Sequence, residues 1–333
     1  MASIPQRKKR KDSLIPKVLI VILGPTAAGK SNLGVALASA FKGEIISADS
    51  RQVYKDLDIG TGKIRKQEMR GITHHLLDIS SPRKPYTVST WKREALGAID
   101  RIRKKGKIPF LVGGSPLYLY ALVDQWSIPE VKPDAKLRKR LARLSPSVLL
   151  AKLRELDPER ADSIEPKNKR RIIRAIEIVT KTKRPVPSLN KTPLPYPVLF
   201  IGITRSQKIL SARIAKRLDA MIKHGLLKEV QKLKAQGLSW KRINELGFEY
   251  RYAAAYLRKK CLTGAKFGKA VGLADGAKAD TSSREEMRRN IQKATEDFVR
   301  RQMSWFKKDP RIHWLKNLKE AKSLTKTFLL NLV

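Results

Sequence analysis

The stretch Gly24-Pro-Thr-Ala-Ala-Gly-Lys-Ser31 sets two glycines around four residues and follows them with Lys and Ser. This is the pattern of a phosphate loop. Backbone N–H groups of such a loop and of the helix that follows cradle phosphate oxygens, the lysine ammonium sits on them, and the hydroxyl ligates Mg²⁺. Gly24, Thr26, Ala27, Ala28, Gly29, Lys30 and Ser31 are therefore candidate phosphate ligands, with Ser31 also a candidate for the metal. The pattern does not say which phosphate: the tail of ATP, the acceptor of a kinase, or the pyrophosphate of another donor. Asp49 closes a second apolar run. A carboxylate there can serve as a Mg²⁺ ligand, as a general base or as a turn cap. Ser115 follows Gly113-Gly114, where a hydroxyl can bond a substrate or cap the helix that opens at Pro116; the pattern alone favours the cap. Arg213 and Arg217 lie four apart and share a helix face, which suits a polyphosphate or an ordinary solvated surface.

These groups need elements to carry them. Residues 17–23, "KVLIVIL", form a short β-branched run bounded by Gly-Pro and predict a buried parallel strand. "KSNLGVALASAFK" then has helical apolar spacing through Leu33, Leu37 and Phe41. Strand, glycine loop and helix in that order are the context that a phosphate loop requires. Residues 43–50 and 108–114 predict two more strands, with a helix over "STWKREALGAIDRIRKKGK" between them. This alternation predicts a doubly wound α/β sheet, with ligands at the C-terminal strand ends, where Gly24–Ser31, Asp49-Ser50 and Gly113-Gly114-Ser115 fall. Residues 134–182 read as helices only, prolines at 185–197 read as a linker, and 196–204 predicts a strand that returns to the sheet. Residues 206–236 and 284–308 are again helical. Residues 261–283 are rich in Gly, Ala and Lys and predict a loop-like insertion. The expected organisation is a basic disordered leader (1–15), an α/β core (16–130), a helical insert (131–194), and a return to the core with a helical C-terminal region (195–333).

Composition names the class of partner. The 333 residues hold 72 Lys and Arg against 30 Asp and Glu, a formal net charge of +42 spread along the whole chain. A balance that basic points to a polyanion, first of all nucleic acid. "KNKRRIIRAIE" presents Lys167, Lys169, Arg170, Arg171 and Arg174, and "FVRRQMSWFKK" sets Arg300, Arg301, Lys307 and Lys308 around Trp305. Basic residues interleaved with apolar and aromatic ones suit RNA. Cys261 is the single cysteine, which excludes an internal disulfide and a cysteine zinc cluster and suits a reducing, cytoplasmic compartment. His74, His75, His224 and His313 show no metal-ligand spacing. The apolar run at 17–23 flows into the phosphate loop and is a strand rather than a secretory signal, and no segment predicts a membrane span.

Taken in order, "GPTAAGKS", "EIISADSRQVYKDLDIGTGK", "HHLLDI", "YTVSTWKREALGAI", "IPFLVGGSPLYLYAL", "KNKRRIIRAIEI", "RIAKRLDAMI" and "RRQMSWF" resemble the tRNA dimethylallyltransferase (tRNA isopentenyltransferase, or IPP transferase) family over most of residues 18–310. The resemblance implies a P-loop NTPase-like core and transfer of a dimethylallyl group from dimethylallyl pyrophosphate to N6 of the adenosine at tRNA position 37, beside the anticodon. Pyrophosphate leaves and Mg²⁺ assists. Asp49 matches the family's proton acceptor, and Ser115 stands where the family usually has Thr. Arg213 and Arg217 fall in the segment that helps hold pyrophosphate, with no sign of which does more. Asp49, Ser50, Arg51, Gln52, Arg170, Arg171, Arg174, Arg301 and Gln302 match segments that touch the tRNA anticodon stem-loop. The resemblance also implies a monomer without a membrane association. Three rivals share part of the pattern: a phosphate-loop kinase, a prenyltransferase acting on free adenine nucleotides, and a non-catalytic RNA-binding protein. The first does not explain "SADSRQVYKDLDIG", the second does not need the charge, and the third leaves the phosphate loop beside Asp49 without a purpose.

Overall fold

The computed structural model describes residues 17–187, 191–263 and 284–332, so the expected basic leader and most of the expected insertion lie outside the described residues. The chain opens with β1 (Leu19–Leu23), α1 (Lys30–Ala40), β2 (Gly43–Ala48), α2 (Lys66–Met69), β3 (His74–His75), α3 (Val88–Lys104), β4 (Ile108–Gly113) and α4 (Pro116–Val123). Four helices follow, α5 (Ala135–Leu141), α6 (Pro146–Leu156), α7 (Pro158–Ser163) and α8 (Lys169–Thr182). Then come β5 (Val198–Ile203), α9 (Gln207–His224), α10 (Leu226–Ala235), α11 (Trp240–Glu245), α12 (Phe248–Thr263), α13 (Arg284–Phe306), β6 (Ile312–Leu315) and α14 (Leu318–Leu330). Residues 261–263, expected in a loop, are the last turn of α12.

The six strands form one parallel sheet in the order β3-β2-β4-β1-β5-β6. β1 lies in its middle, with Val21 opposite Leu111 on one side and Phe200 on the other. All five of its residues are fully buried, which is why its sequence is an unbroken apolar run and not an alternation. Two edge strands escape sequence reasoning. β3 has two residues and β6 four, too few to display a period, and β6 falls where only helix was expected. Beside β3, Glu44 of β2 is 1% exposed and takes hydrogen bonds from His75 (2.7 Å), Lys107 (2.8 Å) and Lys105 (3.2 Å). Burial alone would raise its carboxyl, but Lys107, His75 and Lys105 outweigh it and bring the group down to about 2.

The chain divides into two compact units, Met1–Leu119 with Leu194–Val333, and Tyr120–Pro193. The first is built on the sheet, whose core joins Ile20, Ile22, Phe110 and Ile201 to Leu37 of α1 and Leu210 of α9. The second packs Leu141, Leu149, Leu153, Ile172 and Ile176 into its own core. Each of its helices begins at a side chain that accepts a first-turn N–H: Asp134, Ser145, Asp157 and Asn168. Among the described residues no helix is long and apolar enough to cross a membrane.

Candidate functional site

β1 delivers the phosphate loop to the C-terminal edge of the sheet. Gly24 has φ 144°, and a Cβ on it would lie 2.1 Å from the Ile203 carbonyl oxygen of β5, so glycine is required twice over. Ala27 is held left-handed at φ 65°, and such a non-glycine residue is sustained only by its surroundings. Gly29 starts α1 at φ 104° without a side-chain cap. The Thr26 N–H donates to Gln302 (2.9 Å) and the Ala28 N–H to Pro25 (3.3 Å). The N–H groups of Ala27, Gly29, Lys30 and Ser31 have no partner among the described residues. Uncapped donors at the positive end of a helix form an anion site. The Lys30 ammonium bonds the Pro25 carbonyl at 2.7 Å. Desolvation, then Arg217, push its pKa down to about 8, against the pull of Asp49.

The ends of β2 and β4 face this loop. Asp49 follows β2, and its Oδ1 accepts the N–H groups of Arg51 (2.8 Å) and Gln52 (3.3 Å). That is the turn cap foreseen as one alternative, but it occupies a single oxygen; Oδ2 takes no hydrogen bond among the described residues. Ser115 follows β4, and its Oγ accepts the Ser50 N–H at 3.4 Å. Gln302 of α13 closes the back of the cleft. Its side chain is in a residue 2% exposed, with Oε1 on Thr26 and Nε2 donating to the Gly114 carbonyl at 2.6 Å. A residue matched to an RNA-touching segment is thus a buried strut between the phosphate loop and β4.

The two arginines of α9 part company. Arg217 lines the cleft and donates to the Thr61 carbonyl at 2.9 Å. Arg213, one turn earlier, sits on the outer side of the phosphate loop, 3.4 Å from the Ala27 and Ala28 carbonyls, in a groove with Arg205. The cleft has a volume of about 480 Å³, and Lys30, Asp49, Ser115, Arg217, Glu249 and Gln302 reach it from six different segments. Glu249 is not among the residues singled out in the sequence. Burial raises its carboxyl, its own backbone N–H and the guanidiniums of Arg217 and Arg51 pull it back, and it stands at about 7. At the rim, the rings of Phe248 and Phe298 lie 6.0 Å apart, with the Arg301 guanidinium 5.8 Å from the Phe298 ring centre. Arg51 lines the same cleft and donates to the Glu245 carbonyl at 2.7 Å, while Gln52 lies 3.5 Å from the carbonyls of Thr61 and Gly62. This arrangement can hold a pyrophosphate at one wall and offer a carboxylate oxygen at the other.

In the second unit, Arg170 and Arg171 are exposed on α8. Arg174 is occupied: it donates to buried Glu177 at 2.5 Å and to the Val131 carbonyl at 2.9 Å. Glu177 also takes Arg138 at 2.6 Å and the Asp134 N–H at 2.6 Å. A tRNA contact by Arg174 would have to break these bonds.

A model of the IPP transferase family matches residues 52–309, and one of the isopentenyl transferase family matches residues 17–84. The chain is 39% identical to a tRNA dimethylallyltransferase of Salinispora arenicola over 89% of its own length and 82% of that protein's. It is 37% identical to one of Pelotomaculum thermopropionicum over 90% of each chain. Among solved structures, a tRNA isopentenylpyrophosphate transferase of Bacillus halodurans superposes with a TM-score of 0.67 at 30% identity, over 95% of this chain and 98% of that one. A eukaryotic dimethylallyltransferase acting on tRNA gives a TM-score of 0.72 at 26% identity, over 94% of this chain and 80% of that one.

Proposed function

The chain belongs to the IPP transferase family of tRNA dimethylallyltransferases, and from that premise we propose that it transfers a dimethylallyl group from dimethylallyl pyrophosphate to N6 of adenosine 37 in tRNA. The observation that carries this reading is a single cleft in which an uncapped phosphate loop faces a carboxylate with one unengaged oxygen. An allylic pyrophosphate ionises readily, because the developing cation is delocalised. The protein's work is then to stabilise the leaving group, and the N–H groups of Gly29, Lys30 and Ser31, the Lys30 ammonium and Arg217 supply the donors. The adenine N6 lone pair is drawn into its ring, so the amine is a poor nucleophile. Asp49 Oδ2 accepts a hydrogen bond from N6, raises its electron density and takes the proton as the N–C bond forms. Ser115, fixed by the Ser50 N–H, orients the same amine. The adenosine must leave the anticodon-loop stack to reach the cleft.

The donor set fits Mg²⁺. Ser31 offers an exposed hydroxyl on the first turn of α1, and no cluster of three or more His, Cys, Asp or Glu exists among the described residues. An ion that keeps most of its waters and binds through substrate phosphates needs no larger set. When bound there, Mg²⁺ adds positive charge to the pyrophosphate oxygens. Arg170, Arg171 and Arg301, with Ser50, Arg51 and Gln52, are the residues we assign to tRNA. Arg213 supports the outer side of the phosphate loop. Residues 131–194 act as the RNA-contacting insert, and the enzyme works as a cytoplasmic monomer.

One experiment tests the activity. The protein is incubated with dimethylallyl pyrophosphate and either unmodified tRNA or AMP, and the nucleosides are analysed by mass. A prenyl group on tRNA adenosine is expected. A prenyl group on AMP alone would point to the free-nucleotide enzymes, and none on either would sink the proposal.

A further inference from the structure

Behind the cleft wall lies a carboxylate that takes no part in the chemistry above. Glu229 of α10 is 9% exposed. Its Oε2 accepts the backbone N–H groups of Asp58 (2.9 Å) and Ile59 (2.8 Å). Its Oε1 accepts the Gly60 N–H (3.0 Å) and the Tyr250 hydroxyl of α12 (2.7 Å). A carboxylate has about four acceptor sites, so every one is filled. Glu229 forms no ion pair among the described residues; its charge is met by oriented N–H dipoles. A buried ion held in this way is costly to unpair, and it fixes three consecutive residues of a loop that would otherwise have nothing but solvent to hold its donors.

That loop runs on into the site. Gly60, Thr61 and Gly62 line the cleft. The Thr61 carbonyl accepts from Arg217 at 2.9 Å. A Cβ on Gly62 would lie 2.0 Å from the Arg217 guanidinium, and one on Gly60 would lie 2.6 Å from the Tyr250 ring. Loop, arginine and tyrosine are therefore in close contact, and a small shift of the loop must move the guanidinium.

We propose that Glu229 is a positioning residue for the transfer reaction: it clamps Asp58–Gly60, so that Thr61 holds Arg217 against the leaving pyrophosphate, and Tyr250 locks the clamp. The proposal rests on the reading of Arg217 as a pyrophosphate ligand. A residue that only supported the fold would lower stability and activity with every partner alike, whereas a clamp acting through Arg217 affects the pyrophosphate end alone.

The test uses the full chain and compares Glu229→Gln, Arg217→Ala and the double variant. Inhibition by inorganic pyrophosphate, KM for dimethylallyl pyrophosphate, kcat and tRNA affinity are measured for each. Glu229→Gln keeps the shape but turns an NH₂ group toward one pair of donors. It is expected to weaken pyrophosphate inhibition and kcat/KM for the donor by about tenfold, with tRNA affinity within about twofold. In the Arg217→Ala background the same change is expected to add less than about threefold, because the two residues act as one unit. Full multiplication of the two losses, or unchanged pyrophosphate inhibition in Glu229→Gln with a clear loss in Arg217→Ala, would overturn the clamp alone. Unchanged inhibition in Arg217→Ala would overturn the reading of Arg217 and the clamp with it. If Glu229→Gln does not fold, Tyr250→Phe carries the same comparison, since it removes one donor and leaves the three backbone bonds in place.

Discussion

At the scale of single residues, the proposed mechanism gives Asp49 two jobs with two oxygens. Oδ1 closes the turn after β2, and Oδ2, which takes no hydrogen bond among the described residues, is the one we assign to the substrate. Asparagine can keep the first job but cannot take a proton. Asp49→Asn is therefore expected to lower kcat by about 10² to 10⁴ with tRNA affinity unchanged, read from single-turnover rates and filter binding. Full activity would remove Asp49 from the mechanism. Lys30→Ala should raise KM for dimethylallyl pyrophosphate far more than KM for tRNA, and equal losses would count against its place on the pyrophosphate. Two titrations set the pH dependence. Glu249 stands at about 7 and gains negative charge as pH rises through that value; Lys30 stands at about 8 and loses positive charge above it. Both changes act against an anionic ligand, so pyrophosphate inhibition should weaken from about pH 6 to 9. Glu249→Gln should remove the lower of the two steps. The ratio of inhibition constants for the two proteins cancels pyrophosphate's own ionisation, and a ratio that stays flat across pH 7 would contradict this account. The phosphate loop was readable from the sequence because its signal is local: glycines where φ is positive, then Lys and Ser at fixed offsets. Asp49 was readable only as a carboxylate at a strand end, with its role left open by the pattern. Glu249 was not, because a carboxylate's environment comes from what packs on it.

At the scale of elements, buried charge clusters tie neighbours together. Glu44 joins β2 to His75 of β3 and to Lys105 and Lys107 between α3 and β4. Its folded pKa lies below the ordinary carboxylate value, so its contribution to stability is present above about 4.5 and lost as pH falls toward about 2. Glu44→Gln should cost about 2 kcal/mol at neutral pH, where Lys107 and Lys105 lose their counter-charge, and much less near pH 2, as read from urea unfolding at both. Equal costs at both would show that the ion pairs contribute nothing. Arg174 plays the corresponding part on α8, where it neutralises Glu177 together with Arg138. The helical spacing of "KNKRRIIRAIE" displays five basic residues but not which of them turns inward. That depended on Glu177, itself on the apolar side of the helix and 0% exposed.

At the scale of the whole molecule, a net charge of +42 makes RNA binding an ion-exchange reaction. The logarithm of tRNA affinity should fall steeply and linearly with the logarithm of salt concentration. Arg170→Ala and Arg171→Ala should each reduce that slope by about one, whereas Arg174→Ala should lower thermal stability and leave the slope unchanged. A slope that all three reduce alike would mean that Arg174 leaves Glu177 to meet RNA. The sequence by itself determined the strand, glycine loop and helix at 17–41, the three strand ends that carry Asp49, Ser115 and the loop, the all-helical run at 134–182, and the basic charge that points to a polyanion. Each of these is written in composition or in residues close together along the chain. Only the tertiary structure decided which arginine of α9 enters the cleft, because positions four apart differ by only about 40° around a helix and spacing cannot say which side a cleft will take. It also decided that Gln302 braces a loop 276 residues away and that Glu229 clamps one about 170 residues away. Contacts across such distances depend on how the parallel sheet orders its strands, and no local pattern of side chains encodes that.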